Sequence, residues 1–363
     1  MDIREKKYWV AWSNIESIGP QKFKLLYRHF PDLKTAWQAC ASELLMAGLN
    51  HRDIANITEK RPAINPDQAW QELAQGKINV ITIKDKEYPQ LLKQIYAPPA
   101  LLYVKGALPP EQDLNLAVVG TRKTSPYGRQ ITPEIVRGLS QVGLTIVSGL
   151  ALGIDALAHQ TAIEAKGLTL AVLGCGLDKI YPITNQKLTD NILSSGGCLI
   201  SEYPIGTKPL KQHFPARNRI ISGLSKGVLV IEGGQDSGSL ITARCALEQN
   251  REVLAVPGNI SSNTAQGPNN LIKMGAHVVT CANDVLQALN LEASEQIKEN
   301  IKIIPATKEE EIILKFISHQ PVHIDELFKQ CKLTISILNS ALTMMEMKGM
   351  VRHVGGQNYI LSR

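Results

Sequence analysis

Lys211, Phe214, Arg217 and Asn218 fall in one short stretch, Lys211-Gln-His-Phe-Pro-Ala-Arg-Asn218, with Lys208 just ahead of it. Two turns elsewhere are rich in glycine: Gly120-Thr121-Arg122 and Gly233-Gly-Gln-Asp-Ser-Gly238-Ser239. Cations neutralise phosphates, an aromatic face stacks on a base, and bare turn amides hydrogen-bond anion oxygens. Together these residue types suit a polyanion that carries stackable bases. Ser148-Gly149-Leu-Ala-Leu-Gly-Ile-Asp155 adds a third turn running into a helical pattern, where N–H groups and the helix dipole favour a phosphate. No nucleophile–base pair and no set of metal ligands stands beside these residues. The pattern points to nucleic-acid binding ahead of catalysis.

Each feature also has a plain structural reading. Gly120 suits a tight strand–helix turn followed by a surface arginine, and Ser237-Gly238-Ser239 suits an ordinary capped helix start. Phe214 could sit in a core beneath a solvated basic loop. Asp155 and His159 are four apart and share a helix face, as a catalytic dyad or as a buried structural pair. Gly174-Cys-Gly176 echoes a dinucleotide fingerprint, but Lys179 stands where its third glycine belongs, so the signal for a nicotinamide cofactor is weak. The Gly-x-x-x-x-Gly-Lys-Ser/Thr pattern of a P-loop is absent. No cofactor is expected.

These residues need a scaffold. The central segment alternates short apolar runs (116–119, 145–148, 168–173, 198–200, 228–231, 253–256, 277–280) with helix-length stretches (128–141, 156–166, 188–194, 239–249, 267–274). This is the signature of a Rossmann-like, doubly wound parallel sheet, whose ligands bind at the carboxyl ends of the strands. The glycine turns follow directly on several of the runs. The basic stretch 214–225 reads as lying just ahead of a strand.

Residues 1–75 read as a small helical domain of the SAM or helix-hairpin-helix type, with Trp9, Trp12, Ile15 and Ile18 at helical spacing and a break at Gly19-Pro20. Residues 76–290 form the central domain, 291–306 a linker, and 307–363 a winged helix of three helices and a Gly-Gly hairpin. Residues 335–347 contain no Lys or Arg, so the winged helix is expected to contact protein or serve structurally.

The chain of 363 residues carries a formal charge of only +6, so nucleic-acid contact must come from local clustering. Its six cysteines show no ligand spacing and read as reduced, which points to the cytoplasm. No signal peptide and no membrane span are expected.

In this order, Tyr88-Pro89, Gly120-Thr-Arg122, Ser148 to Asp155, Asp178-Lys-Ile-Tyr-Pro182, Ser201-Glu-Tyr-Pro204, Phe214 to Ser225, Ser237 to Ala243, Ala255-Val-Pro-Gly258 and Gly275-Ala276 resemble the DprA/Smf family of DNA-processing proteins. Ala97 departs from the family's usual Asp at that turn. The resemblance implies a cytoplasmic, non-enzymatic protein that binds single-stranded DNA during natural transformation. It implies loading of the RecA recombinase and homodimerisation through the central domain. Its pocket maps here to Arg122, Lys211, Phe214, Arg217 and Asn218, with turn amides at Ser148, Gly149, Gly238 and Ser239; Gly120 and Thr121 complete the expected site. Three phosphates neutralised by Arg122, Lys211 and Arg217 predict a slope of roughly −2 for log affinity against log salt. The rival expectation is a nucleotide phosphoribohydrolase-like enzyme with Glu232 or Glu202 as its acid.

Overall fold

The computed structural model describes residues 3–109, 114–291, 307–318, 320–347 and 350–361. They belong to two compact units, Met1–Ile297 and Lys298–Arg363. Beyond Leu291, the expected linker lies outside the described residues.

The first unit opens with six helices: α1 (Ile3–Ser13), α2 (Pro20–His29), α3 (Leu33–Gln38), α4 (Ala41–Met46), α5 (His51–Lys60) and α6 (Pro66–Gln75). Their starts are written in the sequence. Pro20 and Pro66 occupy first-turn positions, where a missing N–H costs nothing, and Asp32, Asn50 and Asn65 accept hydrogen bonds from first-turn amides. Trp9 and Trp12 are buried and stack on Phe23 and against Trp37. Ile15 and Ile18, expected on the first helix, follow it in the turn and are buried nonetheless.

The sheet elements are β1 (Ile78–Thr82), α7 (Gln90–Lys93), β2 (Leu101–Gly106), β3 (Asn115–Val119), α8 (Pro126–Gln141), β4 (Thr145–Ser148), α9 (Ile154–Glu164), β5 (Thr169–Leu173), α10 (Gln186–Ser194), β6 (Cys198–Ser201), α11 (His213–Gly223), β7 (Gly227–Val230), α12 (Gly238–Glu248), β8 (Glu252–Ala255), α13 (Gln266–Lys273), β9 (His277–Val278) and α14 (Ala282–Ala288). The strand order is β1-β2-β6-β5-β4-β3-β7-β8-β9. From β6 to β9 every pairing is parallel, while β1 and β2 extend the sheet antiparallel. The central strands are buried on both faces, as their uninterrupted apolar runs require. The winding reverses at β3, which lies between β4 and β7. Ligands of such sheets bind at that reversal.

All seven expected strands are present; β1 and β2, in the stretch read as a connection, had not been expected. Residues 213–223 are helical, against the expectation of a basic stretch leading to a strand. Pro215 falls in the first turn, where helices tolerate it, and Arg217, Ile220 and Ile221 form the buried side. A single apolar cluster runs from Trp9 through Tyr103 to β5 and β6. Lys6 pairs with Asp85 (2.8 Å), and the Ser13 and Tyr103 hydroxyls lie 2.5 Å apart, so the helices are fastened to β1 and β2.

The second unit has helices Lys308–Leu314, Ile324–Cys331 and Ile335–Met347 and a three-stranded sheet of β10 (Val322–His323), β11 (Val351–His353) and β12 (Asn358–Leu361), ordered β10-β12-β11. Its core is built on Ile313, Leu327, Leu338, Leu342 and Met345. The six cysteines are free, and Cys175, Cys198 and Cys331 are buried. Among the described residues no helix is long and apolar enough to cross a membrane.

Candidate nucleic-acid interface

The carboxyl ends of β3 and β7 are latched by a hydrogen bond from Thr121 N to Glu232 O (2.7 Å). Arg122 follows directly and is exposed. Its guanidinium carbon lies 5.5 Å from the centre of the Phe214 ring, within cation–π range. Phe214 is half-buried on the first turn of α11, and Tyr181 approaches it at 5.5 Å with the rings tilted by 41°. Tyr181 is 44% exposed. Lys211 stands exposed three residues before Phe214 and makes no ion pair among the described residues. A cation and two aromatic rings thus gather over the strand ends, with the exposed Lys211 three residues before Phe214 in the chain.

Asn218, further along α11, donates to Gly238 O (3.2 Å) and ties this helix to the start of α12. There Ser237 caps the helix, accepting from Ser239 N, and the two serine hydroxyls lie 2.8 Å apart. Gly238 is exposed and Ser239 is buried. Gly238 therefore remains at an accessible helix N-terminus beside the residues of α11.

Other expected contacts point elsewhere. Arg217 is 4% exposed and donates to the carbonyls of Gly149 (2.8 Å) and Val172. Burial lowers its pKa to about 10, and nearby Asp155 opposes that shift, so it is still cationic at neutral pH. It braces the ends of β4 and β5 rather than offering its charge to a phosphate. Gly149 N donates to Asp155 (3.1 Å), and the Ser148 hydroxyl donates to Val118 O (2.6 Å). The Gly149 amide is thus not left for an anion. Glycine at 149 has a different reason: a Cβ there would sit 2.6 Å from Arg217 Nη2. At Gly120 a Cβ would meet Ile154 at 2.6 Å and Glu232 O at 2.9 Å, so that glycine serves close packing. Thr121 turns its amide to Glu232 O, and its hydroxyl accepts from Lys123 N (3.2 Å).

Asp155 and His159 are both buried but do not pair. Asp155 accepts from the amides of Gly149 and Ala151; burial raises its pKa, and Arg217 opposes the rise. His159 Nδ1 lies 2.6 Å from the Thr169 hydroxyl, which gives its own proton to Ile146 O (2.8 Å). The imidazole must therefore donate from Nδ1, which fixes the neutral tautomer. Burial, with Arg217 adding, lowers its pKa to about 3. In the unfolded chain the group titrates near 6.5. Its contribution is thus complete above that pH and is lost as pH falls from about 6.5 towards 3. Between pH 7 and pH 5 the loss should be about 2 kcal/mol. Thermal melts of wild type and His159→Leu at the two pH values test this. The variant should lose less stability on acidification, and equal losses would refute the assignment.

The carboxylates of the enzymatic alternative are engaged. Glu232, 3% exposed, accepts from Ser125 N (3.0 Å), the Ser125 hydroxyl and the Thr264 hydroxyl (3.0 Å). It clamps the start of α8 to the segment after β8. Glu202 pairs with Arg219; burial raises its pKa, and Arg219 opposes the rise. Tyr181 is the interface residue that sequence reasoning left out. The available signal was an aromatic in the loop after β5, next to Pro182.

The family model described as DNA recombination-mediator protein A matches residues 79–290, and that of the DprA winged helix domain matches 302–357. The chain is 36% identical to Protein Smf of Synechocystis sp., across 98% of both sequences. It is 47% identical to DNA processing protein DprA of Bacillus subtilis over 58% of this chain and 71% of the relative. The solved structure of DNA processing protein A from Streptococcus pneumoniae superposes with a TM-score of 0.67 at 37% identity, covering 77% of this chain and 97% of that one. That from Helicobacter pylori, described for its single-stranded DNA binding mode, gives 0.52 at 30% identity, covering 59% and 96%. With its strand ends, its winged helix and these relatives in agreement, the chain belongs to the DprA/Smf family, that of DNA recombination-mediator protein A.

Proposed function

We propose that this protein binds single-stranded DNA at the carboxyl ends of β3 to β5 and at the start of α12. The observation that carries the reading is the grouping of Arg122, Phe214 and Tyr181, with the exposed Lys211 ahead on the same segment. Arg122 and Lys211 neutralise phosphates, the aromatic rings receive bases, and the amide of Gly238 faces an anion. Faces of bases are alike where edges differ, so stacking on these rings is sequence-tolerant and favours single strands. The engaged states of Glu232 and Glu202 support a binding role over a hydrolase. A gel shift with single- and double-stranded oligonucleotides at two salt concentrations tests the reading, and equal affinity for both forms would count against it.

Phe214→Ala should cost about 1–3 kcal/mol of oligo-dT affinity, the usual contribution of one stacked base. An unchanged titration would remove Phe214 from the site. The proposal extends to protection of incoming strands in natural transformation, RecA loading, a cytoplasmic setting and a homodimer formed by the central domain. Met274 and Val278, 77% and 47% exposed at the open β9 edge, support the last; sedimentation of wild type against Val278→Lys tests it. We assign the winged helix of residues 307–363 a protein-contact role, with the helical segment 1–75 and the sheet segment 76–290 as the other working divisions.

A further inference from the structure

A cavity of about 860 Å³ lies on the other flank of α11, between that helix, the α1–α2 turn and the loop after β6. Phe214 belongs to the interface already described, whereas its neighbours His213, Ala216 and Arg219 line this cavity. Lys208, Leu210 and Gln212 line it too, so the segment that carries Lys211 forms part of its wall.

The cavity wall is polar in a particular way. Glu202, with 11% of its side chain exposed, is paired with Arg219. Arg219 Nη1 and His213 Nδ1 are buried without a hydrogen-bond partner among the described residues. Tyr203 stacks on His213 with the rings 4.2 Å apart and 21° from parallel. Buried polar atoms without hydrogen-bond partners are costly, and for the Arg219 donor a bound group that supplies an acceptor removes that cost. Glu16 and Glu202 together on the lining disfavour a bare phosphate. A carboxylate beside a guanidinium instead suits a ring edge that offers N–H donors next to a carbonyl. Among the DNA bases guanine combines the N2 amino donor with the O6 and N7 acceptors.

We propose that this cavity takes a guanine base of the bound single strand, next to the nucleotide at Phe214, with Glu202 accepting from its N–H edge and Arg219 donating to its carbonyl. The inference rests on the single-strand reading given above. The same chemistry could come from a free guanine nucleotide, and the test separates the two sources.

Fluorescence anisotropy with the full chain would compare a short oligo-dT with the same oligomer carrying one dG, dA, dC or abasic site. The dG oligomer should bind roughly tenfold tighter than oligo-dT, the lower end of the discrimination of one good base contact. Glu202→Gln and the cavity-filling Ala216→Phe should each erase that gain and leave oligo-dT affinity within about twofold. Equal affinity for all five oligomers overturns the proposal and leaves the interface reading standing. A guanine gain that survives Ala216→Phe also overturns it, because guanine is then read elsewhere. Deoxyguanosine monophosphate that binds wild type more tightly than the dG oligomer assigns the cavity to a free nucleotide and overturns the strand-borne version. If wild type binds no oligomer, both readings fall together.

Discussion

Arg217→Met is expected to destabilise the first unit by about 3–5 kcal/mol, the usual cost of leaving one buried charge without its partner. The guanidinium is buried, supplies hydrogen bonds to Gly149 O and Val172 O, and opposes the effect of burial on Asp155. Its loss strands two carbonyls and a carboxylate at once. Urea denaturation measures the effect. Adding Asp155→Asn should recover part of it, since an amide oxygen can still accept from Gly149 N and Ala151 N. If Arg217 instead served the DNA directly, the variant would keep its denaturation midpoint and lose only affinity. Single and double variants with additive effects would show that the two residues are not coupled.

Arg122→Ala combined with Lys211→Ala should weaken oligo-dT binding by about a hundredfold, at roughly 1.4 kcal/mol for each charge-assisted phosphate contact. Stability should hardly change, because both side chains are exposed. The salt slope is the sharper measure. Single strands return about 0.7 of a counterion per neutralised phosphate. With Arg217 turned inward, the slope owed to Arg122 and Lys211 is about −1.4, below the roughly −2 expected from three cations. Each single variant should reduce the slope by about 0.7. Two variants with the wild-type slope would remove these residues from the phosphate track.

Much of the scaffold was legible because buried parallel strands must be apolar on both faces. Runs such as Thr169–Leu173 have no other economical place in a fold. The winged helix was legible for the same kind of reason, helical periodicity followed by a Gly-Gly hairpin. The helix at 213–223 was hidden because Pro215, Arg217, Asn218 and Arg219 make its sequence look like a solvated turn. Its inward face becomes intelligible only once the carbonyl ends of β4 and β5 are in place to receive Arg217. The strands Ile78–Thr82 and Leu101–Gly106 pair with each other but escaped notice because the stretch between them, with Pro89 and Pro98-Pro99, reads as a connection. Gly120 and Gly149 were seen correctly as special positions but for another cause: side chains of the fold, not an anion, occupy the space that a Cβ would need. Arg122, Phe214 and Lys211 stood out in the sequence by residue type alone, and the fold leaves the two cations exposed and the ring half-buried.

The two antiparallel strands at residues 78–82 and 101–106 have a further effect. A fragment beginning near residue 115 would lack them and leave β6 as a bare border, with Leu199 and Ile200 beside a row of unsatisfied amides. Borders of that kind recruit one another. Shortened products of this chain should therefore clump on release, and the leading third works as a selvedge that keeps the fabric from fraying into its neighbours.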